Sequence, residues 1–206
     1  MAIKNIIFDF GGVLMDWNPR YFFKTYFNDD DERMEYFLEH IAQTEWNEEQ
    51  DRGRKLAEGT EIQIKKFPEW EKEIRAYYDN WPVMLKSDIP HNVAVLKKLG
   101  NTDYELFGLT NWSDETFPYA LENYDFFKLF KGKIVVSGTE KLIKPDPKIW
   151  HLLLDRYQIS AEESVFIDDN IRNIEMAQSL GFHTVHITPE TDLEKELMDL
   201  GVKFDQ

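Results

Sequence analysis

The sequence predicts an α/β fold: a Rossmann-like parallel sheet with a helical domain inserted after its first strand. Three observations predict it. Five short apolar runs rich in Val, Ile and Phe are spread along the chain, as strands buried on both faces require. Helical patterns separate them, and strand–helix alternation implies parallel pairing. Residues 16–87 break that rhythm with an aromatic, charged, helical texture.

The first run, Ile3–Phe8, leads into Asp9-Phe10-Gly11-Gly12-Val13. Helical stretches then follow over Tyr21–Phe27, Asp31–Ala42, Glu48–Leu56, Thr60–Phe67 and Glu69–Asn80, with breaks at Pro68 and Trp81-Pro82. A segment of roughly 70 residues is too long for ordinary crossover helices. The expected division is therefore a core of 1–15 and 88–206 and an insert of 16–87. Beyond the insert, His91–Leu99 reads as a helix stopped by Gly100. The second run, Tyr104–Leu109, ends in Thr110-Asn111-Trp112-Ser113. The third, Lys133–Val136, precedes a loop carrying Lys144-Pro145. Asp146 reads as an N-cap and Pro147 as the first residue of a helix reaching about Tyr157. The fourth run, Ser164–Ile167, ends in Asp168-Asp169-Asn170. A helix over Ile171–Leu180 follows, with Gly181 just past its end. Thr184–Ile187 is the last strand, and Thr191 with Glu194 reads as a capping box for a final helix.

Composition narrows the function classes. In 206 residues, 42% hydrophobic and 31% charged side chains describe a folded domain, not a disordered one. No apolar run approaches the roughly 20 residues of a membrane span, and the N-terminus lacks the pattern of a signal peptide. There are no cysteines, which excludes disulfides and thiolate metal sites and accords with cytoplasmic residence. A net charge of −15 disfavours nucleic acid and anionic membranes as partners. It would also repel a phosphorylated small molecule, so a phosphate site here needs a bound cation and a placed Lys or Arg.

In an open parallel sheet, ligands bind beyond the carboxyl ends of the strands. Those ends carry, in order, a carboxylate (Asp9), a hydroxyl and amide (Thr110, Asn111), an ammonium (Lys144) and a carboxylate pair (Asp168, Asp169). Each has an ordinary alternative: turn stabilisation, helix capping or a solvated surface charge. The ordered set is harder to explain that way. Adjacent carboxylates at the end of a buried run repel, and a hard divalent cation such as magnesium relieves that cost.

These residues resemble the haloacid dehalogenase superfamily. FDFGGVL is similar to its first motif, LTN to its second, KPDP to its third and FIDDNIRN to its fourth; the insert resembles a helical cap of the C1 type. The resemblance implies a hydrolase of phosphate monoesters that uses Mg²⁺. It implies Asp9 as nucleophile and metal ligand, the Gly11 carbonyl as a further ligand, and Thr110 and Asn111 as binders of the transferring group. It further implies Lys144 as the neutralising cation, Asp169 as the direct metal ligand and Asp168 as its neighbour or water-mediated ligand. The insert would select the substrate, with Trp17, Arg20, Trp46 and Arg52 as candidates.

One departure stands out. Family phosphatases usually carry a second Asp two positions after the nucleophile, which protonates the leaving oxygen; here that position is Gly11. Two outcomes remain open. Either the ester is one whose leaving group needs little protonation, such as a sugar 1-phosphate, or Asp16, Glu45 or Asp51 supplies the proton. Two rival functions also remain. A metal-independent 2-haloacid dehalogenase tolerates Gly11 because halide leaves unprotonated, although it leaves the Asp168–Asp169 pair unexplained. A non-catalytic relative would only bind a phosphorylated ligand.

Overall fold

The computed structural model describes residues 2–204; Met1 and the last two residues of the expected core lie outside the described residues. Among the described residues seven strands form: β1 (Asn5–Phe8), β2 (Met15–Trp17), β3 (Leu85–Asp88), β4 (Glu105–Thr110), β5 (Ile134–Val136), β6 (Ser164–Asp168) and β7 (His183–His186). Five of them make one sheet in the order β5-β4-β1-β6-β7, with every pairing parallel. All five runs expected from the sequence are in it.

The alternation of side chains along these strands builds two cores. Ile6, Phe8, Val165 and Ile167 join one cluster with Leu96, Phe130 and Leu197. Ile7, Phe107, Leu109 and Phe166 join the other with Trp150, Leu153 and Ile174. Each such side chain contributes about 1.5–3 kcal/mol on burial, so the register is strongly specified: a slip of one residue would exchange the two faces.

The insert contains α1 (Arg20–Tyr26), α2 (Asp31–Tyr36, continued by a π turn over Phe37–Ile41), α3 (Thr44–Asp51), α4 (Leu56–Lys66), α5 (Glu71–Asp79) and α6 (Trp81–Met84). These pack around a separate aromatic core of Phe23, Phe37, Trp46, Ile74 and Tyr77. Helices of the sheet region follow as α7 (Pro90–Leu99), α8 (Phe117–Asn123), α9 (Ser137–Glu140), α10 (Pro147–Tyr157), α11 (Ile171–Ser179) and α12 (Leu193–Asp199).

Several local expectations are corrected. The helix expected over Glu48–Leu56 starts at Thr44 and ends at Asp51, because Gly53 turns the chain at φ +98° and Leu56 already opens α4. Asp192, not Thr191, caps α12 by accepting from the Lys195 N–H; the Thr191 hydroxyl instead donates to the His186 carbonyl. Gly100 ends α7 in a right-handed conformation at φ −62°, so it does not form a left-handed stop. The sequence reading missed β2 and β3, which pair antiparallel where the chain enters and leaves the insert. Among the described residues no helix is long and apolar enough to cross a membrane.

Candidate active site

β1 is central, and the chain reverses direction of travel across the sheet on either side of it: β4 and β5 lie to one side, β6 and β7 to the other. The crevice at such a reversal is where open α/β sheets bind ligands. Register carries Asp9 to that edge. Phe8 pairs with Gly108 and Ile167, and the Asp9 N–H donates to the Ile167 carbonyl at 2.9 Å. Residue 12 must be glycine for the next step. It adopts φ +69°, and a Cβ there would collide with the Asp169 carboxylate.

The structure brings Asp9, Lys144, Asp168 and Asp169 together. Asp9, Asp168 and Asp169 each offer a carboxylate oxygen, all within 4.8 Å of one another. Lys144 is buried between two of them, its Nζ 2.6 Å from Asp168 Oδ2 and 3.1 Å from Asp9 Oδ1. Burial alone would lower the Lys144 ammonium, but Asp168 and Asp9 outweigh it and hold it above the ordinary lysine value.

The three carboxylates differ in their partners. Asp168 is wholly buried and saturated. Besides Lys144 it accepts from Asn173 Nδ2 at 3.0 and 3.1 Å and from the Asn170 N–H at 2.8 Å. Asp9 accepts only from the Phe10 N–H, at 2.7 Å, apart from its lysine contact. Burial pushes its carboxyl above the ordinary range; Lys144 pulls it back, and Asp168 and Asp169 push it further up. Asp169 is more exposed, and burial followed by Asp168 raises it too. Ionising all three without a cation is therefore costly, and an all-oxygen donor set suits a hard divalent ion. Magnesium is the cofactor whose chemistry these residues fit.

Asn111 turns out to face its own backbone partner. Its Oδ1 accepts from the Lys144 N–H at 2.9 Å and its Nδ2 donates to the Lys144 carbonyl at 3.0 Å. This closed pair holds the lysine loop against the end of β4. Thr110, the last residue of β4, is buried at the same edge. Asn173 and Asn170, which orient Asp168, were visible in the sequence only as neighbours of the acidic pair.

A cavity of about 150 Å³ adjoins this edge, bordered by Gly11, Asn111, Asp51 and the indoles of Trp17, Trp81 and Trp112. Trp17 thus reaches the site; its Nε1 is buried without a hydrogen-bond partner. Trp81 and Trp112 were not singled out from the sequence, because isolated aromatics there read as packing. The other insert candidates are not brought to this cavity. Trp46 is buried in the insert's own core, its Nε1 donating to the Gly59 carbonyl at 2.9 Å. Arg20 pairs with Glu35 at 2.5 and 2.7 Å, and exposed Arg52 lies 3.6 Å from Glu49.

The chain is similar to known proteins. The profile of a family described as Haloacid dehalogenase-like hydrolase matches residues 6–187. A sesquiterpene phosphatase of Aspergillus oryzae is 28% identical over 205 residues, covering 97% of each chain. A D-ribitol-5-phosphate phosphatase of Bacteroides thetaiotaomicron is 26% identical over 95% of this chain and 97% of its own. The crystal structure of a HAD family enzyme of the same organism, in complex with magnesium and inorganic phosphate, superposes with a TM-score of 0.69. It is 25% identical, and the match covers 94% of this chain and 98% of that one.

Proposed function

The chain belongs to the haloacid dehalogenase-like hydrolase family, and from that premise we propose that it is a cytoplasmic, magnesium-dependent phosphatase of small phosphate monoesters. The observation that carries this reading is the buried ammonium of Lys144 set between Asp9 and Asp168, with Asp169 completing a carboxylate cluster. Full-length similarity to phosphatases supports it. A dehalogenase, which needs no cation, would leave three mutually repelling carboxylates without a purpose.

Asp9 is the nucleophile. It holds fewer hydrogen bonds than Asp168, so one oxygen is free to attack phosphorus and form an aspartyl phosphate. Lys144, fixed by Asn111 at its backbone and by Asp168 at its Nζ, faces charge on the transferring group. Asp168 acts through Lys144, and its saturation by Asn173 and the Asn170 N–H keeps the lysine in place. Magnesium would be held by Asp9, Asp169 and the Gly11 carbonyl, where it supplies charge neutralisation for the phosphoryl oxygens. The core (residues 1–15 and 88–206) provides this chemistry, and residues 16–87 act as a cap that meets the leaving group through Trp17. Indole faces stack on sugar rings and on aromatic groups, so sugar phosphates and aryl phosphates are the substrate classes that fit the cavity.

The test is phosphate release from a panel of sugar phosphates and 4-nitrophenyl phosphate, with and without Mg²⁺, beside chloride release from 2-chloropropionate. Metal-dependent phosphate release that Asp9→Asn reduces by on the order of 10⁴-fold is the expected result. Metal-independent chloride release would replace the phosphatase with a dehalogenase.

A further inference from the structure

Transfer of a phosphoryl group to Asp9 leaves an alkoxide unless the ester oxygen receives a proton. The turn after Asp9 offers none, because residue 11 is glycine. Proton delivery of this kind is worth about 10²–10⁴-fold, so its source matters. Geometry separates the three carboxyls that the sequence offers. Both oxygens of Asp16 are bonded by the Tyr21 hydroxyl, at 2.8 and 2.9 Å. Glu45 is exposed and borders a different groove, beside Arg20. Asp51, the last residue of α3, borders the same cavity as Gly11 and Asn111. Two histidines, His91 and His186, border a third cavity with Gly12 and Asp169, apart from Gly11.

Asp51 is also held in place from both parts of the molecule. Asn47 Nδ2 donates to its Oδ2 at 3.0 Å, and the backbone N–H of Ser113, in the loop after β4, favours its ionised form. Its main-chain carbonyl accepts from the Ser137 hydroxyl at the start of α9. The residue is half-buried and borders the cavity.

We propose that Asp51 is the proton donor to the leaving oxygen and, in the second half of the reaction, the base that activates water; this rests on the phosphatase reading above. In the first half, an Asp9 oxygen forms a bond to phosphorus as the bond from phosphorus to the ester oxygen breaks. The carboxylic proton of Asp51 passes to that oxygen, so the alcohol leaves neutral. In the second half, the Asp51 carboxylate takes a proton from water as the water oxygen bonds to phosphorus. The aspartyl–phosphorus bond breaks, and Asp9 and the protonated Asp51 are restored with release of inorganic phosphate. Burial pushes the Asp51 carboxyl up to about 7; the Ser113 N–H opposes this and Glu48 reinforces it. Tyr77 and Tyr78 of α5 feel the Asp51 charge in turn. A carboxyl poised there can serve as acid and then as base near neutral pH.

The geometry also supplies its own rescue. A Cβ on Gly11 meets nothing within 4 Å, and its φ is not positive, so Gly11→Asp places a carboxyl in the same cavity without strain. The experiment compares 4-nitrophenyl phosphate with phenyl phosphate, which releases the less acidic phenol. In D51N, 4-nitrophenyl phosphate should give a burst of about one equivalent of nitrophenolate, then turnover slowed about 10²–10⁴-fold. Phenyl phosphate should show its loss in the burst itself, and G11D in the D51N background should recover both. Equal losses on the two esters without a burst, or unchanged turnover, would overturn the assignment. Circular dichroism verifies that D51N is folded, and D51E, which keeps a carboxyl, should retain the wild-type ranking of the esters; a reversed or levelled ranking in D51E counts against Asp51. Asp9→Asn is the control for the parent reading: activity that survives it would remove the nucleophile itself, whatever Asp51 does.

Discussion

The two sides of the cavity are built differently. On the sheet side, every buried charge has a partner. Lys144 bridges Asp9 and Asp168, Asp168 is closed off by Asn173 and the Asn170 N–H, and Asn111 grips the lysine loop by both amide atoms. On the insert side, Trp17 and Asp51 reach the cavity with bonding capacity left over. Trp17 Nε1 has no partner, and Asp51 is a half-buried carboxyl with raised affinity for a proton. The sheet side is organised before any substrate arrives, and such preorganisation is what stabilises charge developing in a transition state. The insert side keeps donors and proton-exchanging groups free, as selection of a leaving group requires.

The largest expected effect tests the sheet side. Lys144→Ala leaves Asp9 and Asp168 buried without their cation, and losing one member of a buried ion pair costs about 3–5 kcal/mol. Urea unfolding should register that loss. A change below about 1 kcal/mol would mean that water replaces the lysine and that the site is less enclosed than its geometry shows.

A second effect separates the sides by metal and pH. Asp9 and Asp169 are raised above their ordinary value of 3.8 when folded, and Asp51 is raised to about 7. For a raised carboxyl, the stabilising contribution is full below the unfolded value and is lost as pH rises through the folded one. Stability without metal should therefore decline from about pH 4 toward neutrality. A cation shared by Asp9 and Asp169 removes their part of the decline, while Asp51 keeps its own. Mg²⁺ at a fixed concentration, about 100 times its dissociation constant at neutral pH, should add about 3 kcal/mol there, more at pH 8 and less at pH 5. Thermal unfolding measured with and without Mg²⁺ across that range reads both; an equal shift at every pH would detach the metal from these carboxylates.

The smallest effect belongs to the insert's surface. Arg52→Ala removes an exposed pair with Glu49 and should change stability by less than about 1 kcal/mol, with kcat and KM unaltered. A clear rise in KM would bring Arg52 into substrate contact and blur the contrast between the two sides.

Much of this was legible in the residues themselves. Strand runs declare themselves by local apolar patterning, and a polar residue that follows such a run has to emerge at the sheet edge. Asp9, Thr110 and the Asp168–Asp169 pair were legible for that reason, Lys144 through the Pro145 that follows it, and Asp146-Pro147 and Gly181 marked helix ends by local chemistry alone. The β2–β3 ribbon was not, because its segments MDW and LKSD carry charged and polar residues in place of a buried apolar run and become strands only by pairing across the whole insert. Nor could sequence order distinguish Trp17, which reaches the cavity, from Trp46, which fills a core, since both are aromatics in helical surroundings.

The chain's order of residues thus determined the sheet, its edge chemistry and the need for a cation, all of which follow from patterns spanning a few neighbours. Tertiary structure alone decided the partners: Asn111 on Lys144 across 33 positions, Lys144 on Asp168 across 24, and the Ser137 hydroxyl on the Asp51 carbonyl across 86. Hydrogen bonds and ion pairs depend on distances of about 3 Å, and residues far apart in sequence reach such distances only when packing elsewhere has fixed both backbones.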